Sequence, residues 1–123
     1  MRLLTQISVT VYLMNVLAEG GADPHIPNPL GYTALYMAGE SPKIVQRLLQ
    51  ESVQVDTLCG ERGEAALHFA AHLGFYSTAL QLLHAGANVD IMTPYNETPL
   101  WLAALGGHVN NIHLLLQWNC LLK

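Results

Sequence analysis

The chain has 123 residues, room for one domain with a modest core. It is 51% hydrophobic and only 11% charged, far below the roughly 25% charged share of an average soluble domain, a balance that favours a chain covered by neighbours. A net charge of -4, with five scattered basic residues (Arg2, Lys43, Arg47, Arg62 and Lys123) that form no run, argues against nucleic acid, which needs a Lys and Arg cluster to neutralise phosphates.

In chain order, the N-terminal "MRLLTQISVTVYLMNVLAEGG" has the outline of a secretory signal, but Thr5, Gln6, Ser8, Thr10 and Asn15 break its apolar run, which is also too interrupted to span a bilayer. Self-similarity explains it better. "GYTALYMAG" begins at Gly31, "GEAALHFAAHLG" at Gly63 and "NETPLWLAALGG" at Asn96, 32 and then 33 residues apart. Leu35, Leu67 and Leu100 keep step, as do Ala38, Ala70 and Ala103. Downstream, Leu48-Leu49, Leu82-Leu83 and Leu115-Leu116 mark a second helical segment in each unit, and Gly21-Ala22-Asp23 matches Gly86-Ala87-Asn88.

This pattern resembles the ankyrin repeat, a unit of about 33 residues with a T-P-L-H-x-A signature between a β-turn finger and two antiparallel helices. "TPLWLAA" from Thr98 and "AALHFAA" from Ala65 carry the likeness. The resemblance implies an all-α solenoid of three to four repeats filling residues 1–123 as one domain. A degenerate repeat spans 1–27, followed by repeats at 28–59, 60–92 and 93–123. Paired helices are expected near 33–40 and 42–51, 65–72 and 77–85, and 98–105 and 110–118. Thr33 and Thr98 are placed to cap first helices, Pro99 suits a first turn, and Gly74 and Gly107 suit left-handed helix ends.

The departures are specific. The middle repeat has Ala65 where Thr is expected, a lost cap that costs about 1 kcal/mol. Its neighbours keep Thr but replace the signature His with Tyr36 and Trp101. The first clear repeat is two residues short between Gly39 and Ile44, with Ser41 as cap and Pro42 as first helical residue, and "TLCGERG" makes the next finger one residue long.

His68 and His72, four apart on one helix face, have the spacing of paired zinc ligands. The stretch reads H-F-A-A-H without the carboxylate of a catalytic H-E-x-x-H helix, and Cys59, His84 and His108 fall at scattered points of the repeat. No metal, cofactor or catalytic residue is therefore expected, and the chain is read as no enzyme. "NET" at Asn96 to Thr98 is a sequon whose Thr has a capping role instead; Cys59 is expected to be an ordinary exposed thiol, and Trp101 and Trp118 packing residues.

The resemblance further implies a protein-binding module, using a concave face of fingers and first helices. Here that face would carry Leu30, Tyr32 and Glu40, then Glu61, Arg62, Glu64 and His72, then Tyr95, Glu97 and Leu105. The set is aromatic and net acidic, favouring a protein partner with basic and apolar groups over nucleic acid or membrane. Two cysteines without CxxC spacing suit a reduced compartment, so an intracellular site, cytoplasmic or nuclear, is expected. The alternative is a slice of a longer solenoid, with further repeats in the parent chain and no partner of its own. "HLLLQWNCLLK" lacks the polar outer face of a capping repeat.

Overall fold

The structure, a computed structural model, describes residues 25–27 and 30–122. Nearly all of the expected degenerate repeat, including Gly21-Ala22-Asp23 and the signal-like outline, lies outside the described residues. Among those described, the helices are α1 (Ala34–Met37), α2 (Pro42–Leu49), α3 (Ala66–Leu73), α4 (Tyr76–His84), α5 (Pro99–Gly106) and α6 (Val109–Leu122). The extended pairing described is one isolated antiparallel bridge between Cys59 and Glu64, so the fold is an all-α stack of helix pairs.

Each pair folds on itself, α1 on α2, α3 on α4 and α5 on α6. First helices then pack in one layer, α1 with α3 and α3 with α5, and second helices in another, α2 with α4 and α4 with α6. Small residues permit the approach: Ala38, Ala70 and Ala103 are almost wholly buried in the first-helix layer. A larger side chain there would force the helices apart. Lateral hydrogen bonds also join successive repeats. Thr78 Oγ1 donates to the Gly39 carbonyl at 2.6 Å and Asn111 Nδ2 to the Ala70 carbonyl at 3.1 Å. Each joins a second helix to the end of the preceding first helix, the Ala70 carbonyl accepting also from the Gly74 and Phe75 N–H groups.

Two helices differ from the sequence expectation. α1 is a single turn rather than 33–40, because this repeat is two residues short between Gly39 and Ile44, where α3 runs another turn to Leu73 before Gly74. Pro42 also disfavours helical backbone at Ser41, so the chain turns at once, with Ser41 N–H donating to the Ala38 carbonyl. Ser41 occupies the cap position of α2, but its side chain makes no capping bond. At the other end, α6 reaches Leu122 rather than stopping near 118. The middle repeat breaks at Gly86, whose φ is +96°; the equivalent position in α6 is Asn119, which stays helical.

Glycines end the longer first helices as expected. Gly74 and Gly107 adopt left-handed φ of 79° and 73°. Of the core leucines, Leu35 and Leu67 are buried, whereas Leu100 is half-buried because no described repeat follows it.

Candidate functional site

The fingers are positioned by the first-helix termini they feed. In α1 and α5 the capping threonines act locally: Thr33 Oγ1 accepts from Tyr36 N–H at 3.1 Å and Thr98 Oγ1 from Trp101 N–H at 3.2 Å. Ala65 has no such oxygen. Instead His68 reaches back from the third helical position, and its Nδ1 accepts from the Ala65 N–H at 3.0 Å. The missing cap is therefore replaced on a different donor, the reverse half of a capping box. With Nδ1 accepting, the proton sits on Nε2, which lies 2.9 Å from the Ile91 carbonyl and 3.0 Å from the Glu97 carbonyl and donates to both. His68 thereby fastens the third finger to α3. Burial holds its pKa below the ordinary histidine value, against the opposing pull of those two carbonyls and of Glu64 and Glu97.

Both His68 nitrogens are thus taken by backbone, while His72 is exposed one turn along. Among the described residues no group of three or more His, Cys, Asp and Glu is placed to hold a metal ion.

The fingers that precede α3 and α5 are short hairpins. Cys59 and Glu64 exchange backbone hydrogen bonds of 2.7 and 3.1 Å, and the tip turns through Gly60 and Gly63, both at positive φ. A Cβ on Gly60 would stand 2.6 Å from the Tyr32 hydroxyl, so the close approach of that ring needs the glycine. The extra residue falls in this tip, where Glu61 and Arg62 are exposed. The next finger closes by the Thr93 N–H donating to the Glu97 carbonyl at 3.0 Å, with Tyr95 at the tip 63% exposed. Cys59 is not the exposed thiol expected: it is buried in its hairpin, with Sγ 3.6 Å from Thr33 Oγ1.

The residues assigned to the face fall into three rows of repeat-equivalent positions, with Glu61 added by the inserted tip. Leu30, Arg62 and Tyr95 form an exposed row at the fingertips. Glu40, His72 and Leu105 form a second exposed row, along the ends of the first helices. Between them Tyr32, Glu64 and Glu97, two residues on from the tips, are half-buried.

Arg62 ties the middle row together. Its Nη2 donates to Glu97 Oε1 at 2.8 Å and Oε2 at 3.0 Å, its Nε lies 3.9 Å from Glu64 Oε2, and its guanidinium sits 5.4 Å from the Tyr95 ring centroid. Thr93 Oγ1 also donates to Glu97, and the Tyr36 hydroxyl donates to Glu64 at 3.3 Å. Burial first and the Glu64 carboxylate second hold the Tyr36 phenol far above its ordinary range, so it stays a donor. Tyr36 also packs between Tyr32 and Phe69, with centroids 5.2 and 4.8 Å away. One cation thus bridges carboxylates of two successive repeats, and two expected contact residues are engaged inside the stack.

Two surface features escaped the sequence reading. Trp101, expected to pack, is 59% exposed, at the position that His68 holds in the middle repeat. Tyr36 proved to be the link from α1 to the Arg62 group. Trp118 does pack between repeats, edge-on to His84 at 5.0 Å.

Stacked helix pairs joined by hairpin fingers define a solenoid of helical repeats. A family model described as "Ankyrin repeats (3 copies)" matches residues 7–93 and 40–122, and the chain belongs to the ankyrin repeat family. It is 31% identical over 106 residues to a Transient receptor potential cation channel subfamily A member 1 homolog of Caenorhabditis elegans, covering 85% of this chain and 9% of that protein. Over 120 residues it is 32% identical to the B-cell lymphoma 3 protein homolog of Mus musculus, covering 92% of this chain and 27% of that one. With human Cyclin-dependent kinase 4 inhibitor B it shares 31% identity over 93 residues, 75% of this chain and 67% of the inhibitor. The chain spans under a tenth of the channel homologue's length. Ankyrin repeats generally mediate protein–protein interaction, and the family is generally non-enzymatic. Among the described residues no helix is long and apolar enough to cross a membrane.

Proposed function

We propose that this chain is a non-enzymatic protein-binding module that holds its partner across the fingertips and first-helix ends. What supports the reading is the pair of exposed rows, Leu30, Arg62, Tyr95 and Glu40, His72, Leu105, on either side of a middle row tied together by Arg62. Apolar and aromatic anchors beside carboxylates suit a protein with apolar and basic side chains, since complementary charge speeds encounter and rejects like-charged partners. Glu61, Glu64 and Glu97 outnumber the single Arg62, which keeps the fingertip region acidic. Neither nucleic acid nor a membrane fits that balance. Units of 28–59, 60–92 and 93–123 each contribute one segment of the face, and the two unpaired cysteines are consistent with a cytoplasmic or nuclear site.

Affinity capture from cell lysate with the intact chain, a face variant (Leu30→Ala, His72→Ala, Leu105→Ala) and a second-helix variant (Gln46→Ala, His113→Ala, Gln117→Ala) tests this. A partner retained by the intact chain and the second-helix variant, but lost from a face variant of unchanged melting temperature, is the expected result. A partner lost only from the second-helix variant would overturn the proposal.

A further inference from the structure

We propose that Arg62 is the specificity-determining residue of the fingertip face: it occupies the Glu64 and Glu97 carboxylates from within, so that the centre of the face selects an uncharged, apolar segment of the partner rather than a basic side chain. This rests on the partner-binding reading above and narrows the partner's chemistry.

All four carboxylate oxygens are engaged by the chain itself. Glu97 Oε1 accepts from Arg62 Nη2 at 2.8 Å and from Thr93 Oγ1 at 3.2 Å, and its Oε2 accepts from the same Nη2 at 3.0 Å. Glu64 Oε1 accepts from the Tyr36 hydroxyl at 3.3 Å, and its Oε2 lies 3.9 Å from Arg62 Nε. The acids are withdrawn accordingly. Their side chains are 12% and 16% exposed, against 57% for Arg62. A partner's lysine or arginine has to displace a guanidinium tethered beside both acids, and a tethered group competes at a high effective concentration.

What stays open is apolar. The Arg62 guanidinium lies 5.4 Å from the Tyr95 ring centroid, within the range of cation–π attraction. Thr93, itself buried, adds a second restraint, because its Oγ1 accepts from the Tyr95 and Glu97 N–H groups at 3.2 and 3.3 Å. Tyr95 is thus held from both fingers while its side remains open to solvent. An aromatic surface ordered before the partner arrives loses less entropy on binding. Leu30 and Leu105, both exposed, extend the apolar contact along the two outer rows. An acidic segment is disfavoured as well, because Glu61, Glu64 and Glu97 outnumber Arg62.

Titration of the whole chain with N-acetyl-argininamide, followed by amide NMR, reads whether the carboxylates are closed. The intact chain should show no saturable shift at Thr93 and Glu97. Arg62→Ala should show one, weaker with N-acetyl-lysinamide, which lacks the bidentate fork, and absent once Glu97→Gln is added. Selection from a random peptide display library then reads the partner chemistry. The intact chain should retain aromatic and aliphatic peptides poor in Lys and Arg, and Arg62→Ala, with its helical circular dichroism unchanged, should retain peptides rich in Arg. The two measurements on the intact chain hold whether or not the variant folds. A saturable argininamide shift on the intact chain, basic peptides retained by it, or an unchanged selection by Arg62→Ala would each overturn the role of Arg62 and leave the partner-binding reading standing. Peptides that survive the Leu30→Ala, His72→Ala, Leu105→Ala face variant, or no retained peptide at all, would overturn both.

Discussion

At the start of α5, Thr98 caps a donor three residues on, and the transaction is complete within one turn. At the start of α3, Ala65 offers nothing, and His68 supplies the bond from the far side while spending its other nitrogen on carbonyls 23 and 29 residues away. The local solution leaves position 101 at liberty to hold an exposed tryptophan. The distant one turns a helix cap into a bond between repeats. Two copies of one unit thus place their stability differently, the last in its own turn and the middle one in its neighbour.

His68→Ala should sharpen that contrast most. It strands the buried Ala65 N–H and two finger carbonyls, and each unsatisfied buried group costs about 1–3 kcal/mol, so a loss of about 3 kcal/mol is expected in urea unfolding. A smaller loss than Thr98→Ala would break the comparison. Next come the two glycines that end these helices. Gly107→Ala meets open space and should cost only the left-handed backbone, about 1–2 kcal/mol. Gly74→Ala should cost clearly more, because its Cβ would lie 2.5 Å from the His108 ring.

Acid should act on the middle repeat through His68. Its pKa in the fold lies below the ordinary 6.5, so the unfolded chain takes up the proton first. The stability this neutral ring supplies is complete above about pH 6.5 and is lost as pH falls towards the folded value, by at most about 1.4 kcal/mol per pH unit for one proton. Thermal melts between pH 8 and pH 5 should show that slope, flattened in His68→Gln. Thr98→Ala should cost about 1 kcal/mol, the ordinary value of a cap. Smallest is Trp101→Ala, at the position matching His68, where an exposed side chain is worth within about 0.5 kcal/mol of stability.

The repeat period, the glycine helix ends and the threonine caps were legible because each is a local event, decided by a φ sign or by a bond spanning three residues. The same holds for the long finger, whose extra residue sits in the tip between Gly60 and Gly63. The candidate face was legible only as a set of equivalent positions. That Glu64 and Glu97 are drawn into the stack depends on Arg62, 35 residues from Glu97 in the chain, and no pattern along a sequence reports a side chain's reach across a fold.

By itself, then, the sequence determined the unit, its spacing and where each helix of the middle repeat begins and ends, because backbone conformation there answers to residues within one turn. Tertiary structure decided the rest. It buried Cys59, left Trp101 outside, and assigned one arginine to two carboxylates. These outcomes depend on which surfaces a neighbouring repeat covers, and burial is a property of the stack rather than of any stretch of chain.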